Sequence, residues 1–213
     1  MLPKTGDVVT AGMDAGFRSD SSALVIVHTR AGIRWVAEVL ELRPQKGIPL
    51  KPSEVMAKFA ERLKAHGASH VLADSHYRES IDEHLSAAGL IYVPAPNRPA
   101  DAYVRARVLF RQGVVRLPDH PRLLQQINEV TAKPLAGGGL SIVQQRWRAG
   151  GHGDLLSALV LALYATGGDE VPVPKATGSL AWEEEQRAAR RAACKTAEDS
   201  AGAPWWKKRA GRR

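Results

Sequence analysis

The chain has 213 residues, 44% of them hydrophobic and 24% charged, with a formal net charge of +8 and an isoelectric point near 9.9. That is enough chain for one substantial domain with its own core, and the balance of apolar and charged residues excludes fibrous and disordered classes. The single cysteine, Cys194, excludes an intramolecular disulfide, and neither a secretory leader nor a bilayer-crossing apolar run is present, so a cytoplasmic setting is expected. The basic surplus points to a polyanionic partner such as nucleic acid. It is spread along the chain, because the stretch from Gly168 onward holds ten Lys or Arg against seven Asp or Glu.

In chain order, "VVTAGMD" (8–14), "ALVIVH" (23–28) and "IRWVAEVLEL" (33–42) are β-branched, partly alternating runs separated by "AGFRSDSS" and "TRAG", which have turn chemistry. Three sequential antiparallel strands are predicted. Pro52 and Ser53 then open a helix carrying Val55, Met56, Phe59, Ala60 and Leu63 at helical spacing, with Lys58, Glu61, Arg62 and Lys64 on its water face and Gly67 at its end. "HVLADS" (70–75) reads as a strand closed by an acid, Ile81, Leu85 and Ala88 space a second helix, and "IYVPAP" returns as a parallel strand. A helix over about 100–112 carries Ala102, Ala106, Leu109 and Phe110 on one face and Tyr103, Arg107 and Arg111 on another.

A short strand "VVRL" and a helix over about 120–131 come next, then "KPLAGGGLSIVQQRW" as a hairpin with a glycine tip, then the apolar helix that follows "GGHGD". Beyond Thr166 the texture changes to linker, helix-compatible and core-poor segments ending in Trp205, Trp206, Lys207, Lys208, Arg209, Arg212 and Arg213. Such an end suits nucleic acid, a partner protein or simple solvation. The reading is an α/β domain over 1–167, a mixed sheet flanked by helices, followed by a linker and basic tail over 168–213.

Three acids stand at element ends: Asp14 and Asp74 close strands, and Asp154 opens the most apolar helix. Singly, Asp14 and Asp74 read as turn formers and Asp154 as an N-cap, a role worth about 1 kcal/mol. Together they read differently, because strand carboxyl ends are where open α/β sheets build their sites, and convergent carboxylates repel one another unless a divalent cation neutralises them. Hard oxygen donors suit Mg²⁺ or Mn²⁺, and no Cys or His cluster has zinc spacing.

The stretches "AGMDAGFRSDSSALVIV", "VLADSHYRESIDEHL", "GVVRLPDHPRLLQQI" and "GGHGDLLSALVLAL" occur in that order over residues 8–167. In this the chain resembles the nuclease domain of the large terminase subunit of tailed double-stranded DNA bacteriophages, a branch of the RNase H-like (retroviral integrase) superfamily. The resemblance implies three antiparallel strands followed by parallel ones, with Asp14, Asp74 and Asp154 as metal-binding catalytic acids. Asp20 matches a further acid near the metals, and reads equally as a turn residue beside Ser19 and Ser21. Implied too are two Mg²⁺ or Mn²⁺ ions with DNA bound, one or none without it, and cleavage of double-stranded DNA with little sequence preference. The implied packaging partners are the portal or procapsid and the small terminase subunit, with no membrane involved. A full large subunit carries an ATPase before its nuclease; this chain has no G-x-x-x-x-G-K-[ST] loop, so no ATPase is expected in it, and the short lead "MLPKTGD" reads as that of an excised domain.

His152, on the glycine-rich turn, is a candidate proton shuttle or phosphate contact, or an exposed loop histidine. Arg98, Arg105, Arg107, Arg111, Arg146 and Arg148 are candidates for a positive track along backbone phosphates, and no base-reading motif accompanies them. Two other readings stay open: a junction resolvase, which would share the three acids, and a non-catalytic DNA-binding or assembly module whose acids are caps and turns.

Overall fold

The computed structural model describes residue 4 and residues 6–18, 20–136, 139–144 and 153–167. The tail from Gly168, together with Arg146, Arg148 and His152, lies outside the described residues. The elements are β1 (Val8–Asp14), β2 (Ser22–Arg30), β3 (Ile33–Leu42), α1 (Pro52–Ala65), β4 (His70–Ala73), α2 (Arg78–Ala87), β5 (Ile91–Pro94), α3 (Pro99–Arg111), β6 (Val115–Arg116), α4 (Pro121–Glu129), β7 (Thr131–Pro134), β8 (Leu140–Val143) and α5 (Asp154–Ala165).

β1, β2 and β3 pair antiparallel, β4 joins β1 and β5 joins β4 in parallel, and β6 adds parallel to β3, giving the sheet order β5-β4-β1-β2-β3-β6. The expected mixed α/β sheet is what forms. These elements belong to one compact unit, residues 1–133 with 141–173. In the second unit the described residues are the hairpin tip, where the Leu135 N–H donates to the Gly139 carbonyl at 2.8 Å.

β2 is buried from Ser22 to His28, on both faces, so its run "ALVIV" is apolar without interruption rather than alternating. Successive side chains feed two cores. Ala11, Met13, Leu24 and Ile26 pack with α1 and α2, while Ala23, Val25 and Val27 pack with α3, α4 and α5. Charge ties the sheet elsewhere: at its far end Arg30 donates twice to Asp7 at 2.6 Å, and in the middle of β3 Glu38 accepts from Arg62 of α1 at 2.6 and 2.7 Å. Arg62 is therefore bound to the sheet rather than left on the water face of α1. Beside it a buried imidazole pair joins β2 to α1, with His28 Nε2 and His66 Nδ1 2.9 Å apart.

α5 meets the sheet at closer range than any side chain allows. A Cβ at Gly12 of β1 would stand 2.2 Å from the Ala158 carbonyl and 2.3 Å from the Ala162 nitrogen, both helix backbone. Thr10, two residues earlier on the same face, donates its hydroxyl to the Ala162 carbonyl at 3.1 Å. Nine residues of α5 are buried, Asp154 among them. Gly12→Ala is expected to push the helix off the strand and to cost about 2–3 kcal/mol. Urea unfolding checks this, and a midpoint equal to that of the parent chain would mean that the contact is not tight.

Candidate active site

The sheet register lays the acids out in a row. Asp14 pairs with Ala23, Ala23 pairs with Glu41, and Met13 pairs with Ala73, so that Asp74, one residue beyond Ala73, arrives beside Asp14. Asp14, Ala23 and Glu41 share the face on which α5 lies, and Ala23, the smallest of the three, is fully buried in the core that α5 helps to form.

Asp154 enters from above. Gly153, with φ of 34°, is the N-cap of α5, and Asp154 is the first helical residue, 4% exposed. The N-cap reading of Asp154 therefore gives way: its Oδ2 accepts a hydrogen bond from the Ser21 hydroxyl, 133 residues away in sequence. Gly153 is also where the Gln144 side chain passes, since a Cβ there would stand 2.7 Å from the Gln144 amide carbon.

Asp14 bears the electrostatic consequence. Its carboxyl is pushed up to about 7, first by burial and then by the charges of Asp154, Asp74 and Asp20, while a hydrogen bond with Ser157 pulls the other way. Ser157 stands one turn after Asp154 on α5 and is itself held: Tyr103 of α3 lies 3.1 Å from its hydroxyl, and Gln144 donates to it at 3.1 Å and also to the Tyr103 hydroxyl. Tyr103, which sequence spacing sets on the arginine face of α3, thus reaches the acids instead.

Asp74 is half exposed and does form a turn, accepting the His76 N–H at 3.1 Å. Burial moves its carboxyl upward, against the opposing pull of His76. Asp20 is partly buried and sits in a loop folded so closely that a Cβ at Gly16 would stand 2.8 Å from its own Cβ. The loops bearing Asp20 and Asp74 meet where the Phe17 and Tyr77 rings pack edge to face, centroids 4.9 Å apart.

Glu41 is the residue that sequence reasoning missed. It accepts from Ser21 at 2.8 Å, and Arg43 and Arg122 stand 2.9 and 3.1 Å from its carboxylate. Turn spacing alone does not reveal it, because a bulge shifts the pairing of β3 with β2 between Ile26 and Val27, and only past that shift does Glu41 stand opposite Ala23.

Among the described residues, no group of three or more His, Cys, Asp or Glu side chains is gathered tightly enough to hold an ion as it stands. Of the basic candidates, Arg98, Arg107 and Arg111 are exposed, whereas Arg105 is half buried with its guanidinium 5.8 Å from the centre of the Tyr164 ring. No helix among the described residues is long and apolar enough to cross a membrane.

No protein-family model and no curated protein matches the chain. Solved structures do. The large terminase nuclease of thermophilic phage G20c superposes with a TM-score of 0.62 at 21% identity, covering 78% of this chain and 85% of that one. The same nuclease with bound magnesium gives 0.62 at 21% identity over 76% and 82% of the two chains. The large terminase of bacteriophage HK97 gives 0.64 at 21% identity over 78% of this chain, which spans only 40% of that protein. The chain has the fold of a large-terminase nuclease domain. In that fold the row of Asp74, Asp14 and Glu41 lies along one end of the central strands, under the N-terminus of α5.

The upward shift of Asp14 sets a pH dependence. The folded chain keeps this proton up to about pH 7 and the unfolded chain only to about 3.8, so the folded state binds more protons between those values. The stabilisation it provides is complete below pH 4 and is lost as pH rises through 7. Asp14→Asn carries no such titration. Relative to the parent chain in EDTA, it is expected to gain melting temperature between pH 4 and pH 8; an offset that stays constant with pH would contradict the shift.

Proposed function

We propose that the chain is a divalent-metal-dependent endonuclease that cuts double-stranded DNA with little sequence preference. The observation that carries the reading is Asp14, whose carboxyl is raised to about 7 first by burial and then by the charges of Asp154 and Asp74, on the fold of a terminase nuclease. Negative charge concentrated around one carboxyl is the environment that a cation relieves, and a set of carboxylates suits a hard ion. The G20c nuclease has been solved with bound magnesium.

Asp14, Asp74 and Asp154 would hold Mg²⁺ or Mn²⁺, with Asp20 at the edge. Asp14, central in the row, would be shared between two ions, and the phosphate of bound DNA would complete their coordination. When bound, such ions make water acidic enough to attack near neutral pH and stabilise the departing oxygen. The chain's own residues prepare the site: Ser157 orients Asp14, Ser21 orients Asp154, and α5 fixes the height of the third acid above the sheet. The exposed Arg98, Arg107 and Arg111 would meet backbone phosphates, with Arg146 and Arg148 alongside. His152, on the turn before Asp154, would touch phosphate or carry a proton. Within a packaging motor, the portal or procapsid and the small terminase subunit would be the partners.

Plasmid nicking in Mn²⁺ tests the proposal. Asp14→Asn is expected to cut at least about a hundredfold more slowly than the parent chain. Equal cutting by both, or by neither, would sink it, and a strong preference for four-way junctions over linear DNA would reassign the chain to a resolvase. Asp154→Asn is expected to lose cutting while keeping its DNA affinity in a gel-shift titration, because phosphate contacts come from arginines. Loss of binding in well-folded protein would mean that Asp154 has a different role.

A further inference from the structure

Resting on the nuclease reading, we infer that Glu41 is a positioning residue that acts through the Ser21 hydroxyl on Asp154 and so sets how tightly the site holds its metal. Ser21 is 3% exposed and lies between two carboxylates, Asp154 Oδ2 and Glu41 Oε1, the latter at 2.8 Å. A hydroxyl has one hydrogen to donate, so its orientation depends on both neighbours. On the far side Glu41 is fixed, since its side chain is only 10% exposed and it meets Arg122 of α4 at 3.1 Å and Arg43, one residue past the end of β3, at 2.9 Å. The result is a continuous chain from α4 through β3 and the start of β2 to the first residue of α5. One oxygen of Asp154 is thereby tied to the sheet. A carboxylate that binds a cation holds its geometry only when its own hydrogen bonds are made, and loss of such a partner typically weakens metal binding by 10- to 100-fold.

A bystander ion pair at this spot would not need a serine. Glu41 already has two guanidinium partners, and its contact with Ser21 leads on to Asp154. The two guanidinium groups hold the Glu41 carboxylate in place, and its Oε1 in turn holds the Ser21 hydroxyl.

The test is Mn²⁺ binding by the whole chain, read by the loss of the free-ion electron paramagnetic resonance signal, with DNA nicking measured against Mn²⁺ concentration beside it. Ser21→Ala and Glu41→Gln are each expected to weaken binding about tenfold and to raise the Mn²⁺ concentration for half-maximal nicking by a similar factor, with the rate at saturating Mn²⁺ kept within about threefold. The double variant is expected to bind no more weakly than either single one, because both act through one hydroxyl. Parent-like Mn²⁺ affinity in Glu41→Gln, or additive losses in the double variant, would overturn the inference. Asp14→Asn separates this from the parent reading: if it also binds and cuts like the parent chain, the nuclease proposal itself has failed. Should Glu41→Gln not fold, Ser21→Ala removes only a hydroxyl and carries the same comparison.

Discussion

The contact on which the site depends involves no charged group. At Gly12 the backbone of α5 lies directly on the backbone of β1, closer than a single methyl group would permit. Asp154 opens that helix and Asp14 lies two residues along that strand, so the distance between the two acids is set by how far apart the two backbones are held. A helix packed on a sheet through ordinary side chains stands roughly 10 Å away. One packed through glycine and alanine comes nearer and has less freedom to slide. The apolar character of α5 follows: a helix wedged against the sheet and flanked by α3 and α4 is buried on most of its circumference, and the residues that read as uniformly hydrophobic in sequence are those that fill this wedge.

Much of this was legible in the sequence because it rests on local signals. The three opening strands were written in β-branched runs and turn residues, and each long helix in a 3.6-residue spacing with a glycine or proline at an end. The three acids showed themselves as carboxylates at element ends. What could not be read was distance across the sheet. Glu41 looks, like Glu38, to be a surface glutamate of β3 until the register sets it opposite Ala23. Tyr103 follows the helical spacing of α3 correctly, yet its hydroxyl reaches Ser157 because α3 crosses α5 at that point. Gly12 carried a readable signal, since glycine inside a strand often marks a close backbone approach, although nothing local says which element approaches.

The cap reading of Asp154 failed for a physical reason. A capping aspartate must sit outside the first turn with extended backbone and turn its carboxylate back onto helix N–H groups. Gly153 takes that place with a left-handed backbone, freeing the Asp154 side chain to point away from its own helix to Ser21. The stabilisation forgone at the helix end is offset by burial of α5, so the acid can be spent on a contact across the molecule. Glycine at the cap thus serves orientation here rather than stability.

The two ends of the sheet treat carboxylates in opposite ways. At one end Asp7 is gripped by Arg30, which holds its carboxyl down at about 2, and in the middle of β3 Glu38 is gripped by Arg62. At the other end Asp14 is met by burial, three further negative charges and a serine hydroxyl, and its carboxyl moves the other way, to about 7. A hydroxyl orients a carboxylate without neutralising it, whereas a guanidinium does both. Arginine is not excluded from this end of the sheet by lack of room, because Arg43 and Arg122 come as near as Glu41. Ser21 stands between Glu41 and Asp154. A fold that meets Asp7 and Glu38 with arginine, and Asp14 with a serine hydroxyl, directs its central acid without neutralising it, which is the environment the proposed cation would relieve.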